Sequence, residues 1–176
     1  MSKTRLATIW LDGCSGCHMS LLDTDERLLD LVAKADIVYS PIVDTKEFPE
    51  NVDVTLVEGA ISSDEDLEKI IEVRSKTRVL IAFGDCGVSG NVPAMRNPHG
   101  PSPILRRVYI ENADVQQQVP GEVVPALLDR VRPIQDVVPV DLHLPGCPPS
   151  ANLIYDALTE LLNGKAVDLA GRFRFG

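Results

Sequence analysis

Hydrophobic positions follow two alternating rhythms along the chain. Leu6-Ala7-Thr8-Ile9-Trp10-Leu11 is a largely apolar run closed by Gly13, which predicts a buried strand. Leu21, Leu22, Leu28, Leu29 and Val32 then recur at helical spacing. Asp36-Ile37-Val38-Tyr39-Ser40 predicts a second strand, stopped by Pro41, and Val52 to Val57 a third, ending at Glu58-Gly59. From Ser62 to Arg74 the chain opens with Ser and acidic residues and repeats Leu67, Ile70 and Ile71, which predicts a capped amphipathic helix. Arg78 to Phe83 reads as a buried strand stopped at Gly84, and Val140 to Leu144 as another stopped at Pro145-Gly146. A last helix starts near Ser150, carries Leu153, Ile154, Ala157, Leu158, Leu161 and Leu162 on one face, and ends at Gly164. Strands alternating with helices predict one α/β domain over residues 1–176, a mostly parallel sheet with helices on both faces. The exception is Gly87 to about Arg132, rich in Gly and Pro and then polar, where one or two short helices are expected. Irregular stretches of that length inside a domain tend to be functional or docking surfaces.

Composition narrows the function classes. A chain of 176 residues is long enough to bury a core. Its formal net charge of -9 argues against a nucleic-acid partner, which would call for clustered Lys and Arg. No run approaches the ~18 to 20 apolar residues of a membrane span. Met1 to Arg5 is short and polar, not a signal peptide, so a cytoplasmic setting is expected. In that compartment four cysteines point to metal or redox chemistry before disulfides.

Each cysteine follows a predicted strand. Cys14 and Cys17 lie in Gly13-Cys14-Ser15-Gly16-Cys17, Cys86 in Gly84-Asp85-Cys86-Gly87, and Cys147 in Pro145-Gly146-Cys147-Pro148-Pro149. In an open parallel sheet the carboxyl ends of the strands share one edge, where such folds build their sites. All four thiols are therefore expected on that edge, each beside a glycine that lets backbone approach a bulky group. Four thiolates suit a soft metal. Structural zinc typically takes paired knuckles; one pair with two single cysteines is more natural for a cuboidal iron–sulfur cluster. Four unrelated buried cysteines are the bland alternative.

These motifs, with Val57-Glu58-Gly59-Ala60-Ile61 and the Trp10-Leu11-Asp12 that leads into Gly13, resemble the small subunit of [NiFe]-hydrogenases, in the same order and over most of the chain. The resemblance implies a flavodoxin-like domain whose four cysteines, Cys14, Cys17, Cys86 and Cys147, bind one proximal [4Fe–4S] cluster. The chain ends where many members continue into a second cluster domain, and it has no cysteine to spare. With Cys17-His18-Met19-Ser20 after the first pair, it looks most like the short small subunit of bidirectional, NAD-reducing soluble hydrogenases. That form implies two partners: a large subunit carrying the Ni-Fe centre, and a diaphorase module carrying FMN, NAD and further iron–sulfur clusters. The related cluster subunit of respiratory NADH:quinone oxidoreductases shares the late Pro-Gly-Cys-Pro-Pro but has adjacent cysteines at the first site. Here Ser15-Gly16 separates them.

Other residues carry two readings each. Glu58 should face the cluster edge; the resemblance implies a part in proton movement near the interface, against a plain helix cap. His18 is placed to donate to a cluster sulfide, or simply to start a helix. Trp10 is expected in strand core or at an interface. Asp12 and Asp85 suit turn bonds, and Asp23, Asp25 and Glu26 a solvated surface. Glycines after Phe83 lack the spacing of a phosphate loop, so no nucleotide site is assigned to this chain.

Overall fold

A computed structural model of the chain describes residues 3–175. In chain order the main elements are β1 (Thr4–Trp10), α1 (Gly16–Leu22), α2 (Leu28–Lys34), β2 (Ala35–Tyr39), β3 (Val52–Glu58), β4 (Ile61–Ser63) and α3 (Asp64–Lys76). Then come β5 (Thr77–Phe83), α4 (Asp85–Ser89), α5 (Pro101–Arg106), β6 (Leu127–Arg132), β7 (Leu142–Leu144) and α6 (Ala151–Leu162). Five strands form one parallel sheet in the order β2-β1-β3-β5-β7. Counting only these five along the chain gives 2-1-3-4-5, the flavodoxin-like order.

The central strands are apolar on both sides because both faces are covered. Leu6, Val54, Leu56, Ile81, Phe83 and Leu144 pack with Leu21, Leu31, Ile154 and Leu158 of α1, α2 and α6. Ala7, Ile9, Val57, Leu80 and Ala82 pack on the other face with Ile70 and Val73 of α3 and with Ile134. Leu56, Leu80 and Phe83 are completely buried, each worth about 1.5–3 kcal/mol of transfer free energy. α3 begins as its sequence foretells, one residue later than expected. The Ser63 hydroxyl accepts from the Asp66 N–H while the Asp66 carboxylate accepts from the Ser63 N–H, a full capping box.

Two expectations need correction. The apolar residues from Leu21 to Val32 do not share one helix. Thr24 turns the chain by bonding its hydroxyl to the Leu21 carbonyl at 2.7 Å, Asp25 takes a positive φ of 55°, and a 3-10 turn at Asp25–Arg27 separates α1 from α2. The long segment after Gly87 does contain short helices, but it also supplies β6, which pairs antiparallel with β4. Asn97 holds β6 from the side, donating to the Val131 carbonyl and accepting its N–H. Such a pairing leaves no apolar period in Leu127–Arg132 to announce it. No helix among the described residues is long and apolar enough to cross a membrane.

Candidate metal centre

The strand ends finish in register. Trp10 pairs with Glu58, Glu58 with Phe83, and Phe83 with Leu144. Cys14 and Cys17 follow β1, Cys86 follows β5 and Cys147 follows β7, so one edge receives all four. They are free thiols, and Cys14, Cys86 and Cys147 each act electrostatically on Cys17.

The first loop turns at Ser15, in the left-handed region at φ 64°, and enters α1 directly. Cys17 lies in the first turn and is 6% exposed. Nothing in its own N-cap side chain caps this helix. The cap comes from Glu58 at the end of β3, itself 1% exposed. Glu58 Oε1 accepts from the Cys17 N–H at 3.2 Å and Oε2 from the His18 N–H at 2.9 Å. The His18 ring meets the same carboxylate through Nδ1. A carboxylate at a helix start satisfies orphan amides and suits the helix dipole. His18 therefore turns this nitrogen to a carboxylate and not to a sulfur; its Nε2 is buried without a hydrogen-bond partner.

The second loop leaves β5 through Gly84, at φ 82° and ψ 163°, a region essentially reserved for glycine. A Cβ there would stand 2.1 Å from Cys17 Sγ. The Cys86 loop thus passes the Cys17 sulfur only because position 84 has no side chain. Asp85, 4% exposed, ties this loop to the third. Its N–H donates to the Gly146 carbonyl at 2.9 Å, and its Oδ1 accepts the Gly146 N–H at 2.7 Å. Ser20 in α1 anchors the third loop again, donating to the Pro149 carbonyl at 2.6 Å. Donors also reach the sulfurs themselves: Gly16 N–H to Cys14 at 3.4 Å, Asn91 Nδ2 to Cys147 at 3.5 Å, and Val92 N–H to Cys86.

Burial lifts the Cys17 thiol far above its ordinary range, and the Glu58 carboxylate and the other three thiols add to the rise. Burial likewise pushes Cys86 up to about 11, followed by Cys14, Cys147 and Glu58, while the Val92 N–H pulls the other way. Thiols placed like this release their protons when a cation takes the protons' place. The donor set is entirely soft, as zinc or iron–sulfur chemistry requires. Among the described residues, no three His, Cys, Asp or Glu stand close enough to hold a single ion.

The predicted residues therefore meet: four cysteines, Glu58 and His18 share one edge. Trp10 does not pack in the strand core: it is 51% exposed, and its indole N–H donates to the Gly13 carbonyl. Asp23, Asp25 and Glu26 are exposed as expected, and His99 lies exposed away from these contacts. Asn91 and Ser20 escaped the sequence reading, because a Gly-Asn pair reads as a turn and a helical Ser reads as surface.

Residues 14–161 match the family described as NADH ubiquinone oxidoreductase, 20 Kd subunit. The chain is 42% identical over 163 residues to a subunit of the vhu F420-non-reducing hydrogenase of Methanocaldococcus jannaschii, covering 92% of this chain and 57% of that protein. It thus spans little more than half the length of that curated relative. It is 39% identical over 175 residues to the delta subunit of the NAD-reducing hydrogenase HoxS of Cupriavidus necator, covering 95% of this chain and 82% of the relative. Among solved structures, NAD+-reducing [NiFe]-hydrogenase in the H2-reduced state superposes with a TM-score of 0.94 at 38% identity, covering 99% of this chain and 100% of that one. The Ni-Fe-Se hydrogenase from Desulfomicrobium baculatum, at TM-score 0.59 and 18% identity over 93% of this chain and 64% of that one, shares the fold.

Proposed function

Because the chain belongs to the NADH ubiquinone oxidoreductase 20 Kd subunit family and is homologous to a subunit of NAD-reducing hydrogenase, we propose that it is the electron-transfer small subunit of a cytoplasmic NAD-reducing [NiFe]-hydrogenase. Cys14, Cys17, Cys86 and Cys147 hold one [4Fe–4S] cluster. The observation that carries this reading is the convergence of four thiols from three loops on one sheet edge, with Gly84 left bare against the Cys17 sulfur. A cluster with four metal atoms takes one thiolate at each, which suits four cysteines brought together by three separate loops.

When bound, such a cluster takes up and gives back one electron. The chain's own residues do the rest. Glu58 holds the Cys17 turn through both carboxylate oxygens and the His18 ring. A role for Glu58 in moving protons requires one of these bonds to open, so we assign it first to positioning Cys17. Asp85 and Ser20 lock the Cys147 loop against the other two. Leu21, Phe83 and Leu144 keep water from the buried side. Cys14 and Cys147 are exposed, and so are the apolar side chains of Trp10 at the end of β1 and of Val92 and Met95 after α4. That combination suits a partner surface, which we assign to the large subunit bearing the Ni-Fe centre. Electrons pass onward to a diaphorase module with FMN, NAD and further clusters.

Anaerobic purification of the chain with its bound partners, with metal analysis and EPR before and after reduction, tests the reading. Nickel, about four irons on this chain and a reducible cubane signal are expected. Zinc without iron would refute it, and iron without nickel beside membrane subunits would move the chain to a quinone-reducing complex.

A further inference from the structure

One short segment supplies donors to the sulfurs of two separate loops. α4 ends at Gly90, with φ 85°, and the chain turns through Asn91 and Val92 into a 3-10 turn at Pro93–Arg96. The Gly90 N–H bonds the Cys86 carbonyl at 2.9 Å, and the Asn91 carbonyl accepts the Ala94 N–H at 3.1 Å. These bonds fix the backbone of Asn91, whose positive φ of 32° is a conformation asparagine tolerates better than most residues. The side-chain Nδ2 then stands 3.5 Å from Cys147 Sγ. Val92, next in the chain, turns its N–H to Cys86.

A metal-bound thiolate has no proton to give, so only the NH2 end of an amide can bond to it. Reduction of a cluster adds one electron, with no bond made or broken, and raises the negative charge shared by its sulfurs. A donor at sulfur favours that more negative form, which is why such hydrogen bonds help to set cluster potentials. The geometry points to Asn91 as a positioning residue that raises the reduction potential of the cluster, through the hydrogen bond from its side-chain amide to Cys147. This rests on the reading of the four cysteines as cluster ligands.

Two substitutions respect the backbone. Asn91→Gly keeps the turn and removes the amide. Asn91→Asp keeps the shape, replaces the donor with an acceptor and adds negative charge. The anaerobically purified complex is titrated with dithionite and mediators, and the cluster is followed by EPR while its iron content is measured. Asn91→Gly is expected to lower the equilibrium constant for cluster reduction about tenfold, or about 59 mV for a one-electron couple. Asn91→Asp should lower it further, with iron at the wild-type level in both. Two variants that titrate with the wild type would overturn the inference. Loss of iron from both would also overturn it, making Asn91 a prop for the loop. A wild-type complex without iron would instead remove the cluster reading itself, and this inference with it.

Discussion

Gly84 offers the sharpest test of how the centre is built, because the chain contains its own control. Gly84 and Gly100 each precede a short helix with nearly the same backbone, at φ 82°, ψ 163° and φ 72°, ψ 178°. Alanine at either position meets the same backbone penalty, about 1–3 kcal/mol. At Gly100 a new Cβ finds nothing within 4 Å. At Gly84 it lies 2.1 Å from Cys17 Sγ and 3.5 Å from the Gly146 carbonyl oxygen. A carbon–sulfur contact needs roughly 3.5 to 4 Å, so the sulfur or the loop must retreat by about 1.5 Å. Cys17 has little freedom to do so, since its N–H is held by Glu58 and its side chain is packed in the core. Overpacking of this kind adds about 1–3 kcal/mol. Gly84→Ala should therefore cost about 2 kcal/mol more than Gly100→Ala, roughly a thirtyfold difference in the unfolding equilibrium. It should also lose iron, which Gly100→Ala should keep. Urea unfolding and iron per chain measure both effects. Equal stabilities with full iron in both variants would refute the reasoning.

Glu58→Ala strips three donors of their acceptor: the Cys17 and His18 amides and the His18 ring. At about 1–3 kcal/mol per buried unsatisfied group, unfolding experiments should show a loss of roughly 3 kcal/mol or more, and Glu58→Gln, which keeps an acceptor, should lose less. Asp141 gives a pH signature. Burial would raise its pKa, but the Leu80 N–H at 2.7 Å and Arg74 at 2.6 Å outweigh burial and hold the carboxyl below its usual range. Its stabilising contribution is therefore present above the ordinary carboxylate value of about 3.9 and is lost as pH falls through the depressed one. Asp141→Asn should be less stable than wild type by about 0.5–1 kcal/mol at neutral pH, since the pair is partly exposed. That gap should close in acid when urea midpoints are compared, and a gap that does not change with pH would count against the pairing.

The sequence by itself determined the sheet and the placement of the cysteine loops. Strands buried on both faces must be largely apolar, so the runs within Leu6 to Leu11 and Arg78 to Phe83 announce themselves without reference to any other part of the chain. Parallel pairing then sends every strand end to one edge, and cysteines placed after three of those strands have to gather there. What only the tertiary structure decided is how the gathered loops are held. Glu58 caps a helix that begins some forty residues earlier in the chain; Asp85 crosses to Gly146, Ser20 to Pro149 and Asn91 to Cys147. β4 finds β6 across the whole of α3, β5 and the irregular segment. Hydrogen bonds between polar residues far apart in sequence have no period and no fixed spacing. Each donor is legible only once its acceptor stands beside it. The break at Thr24 has the same origin, because helical spacing shows which residues share a face but does not show where a buried hydroxyl will turn the chain.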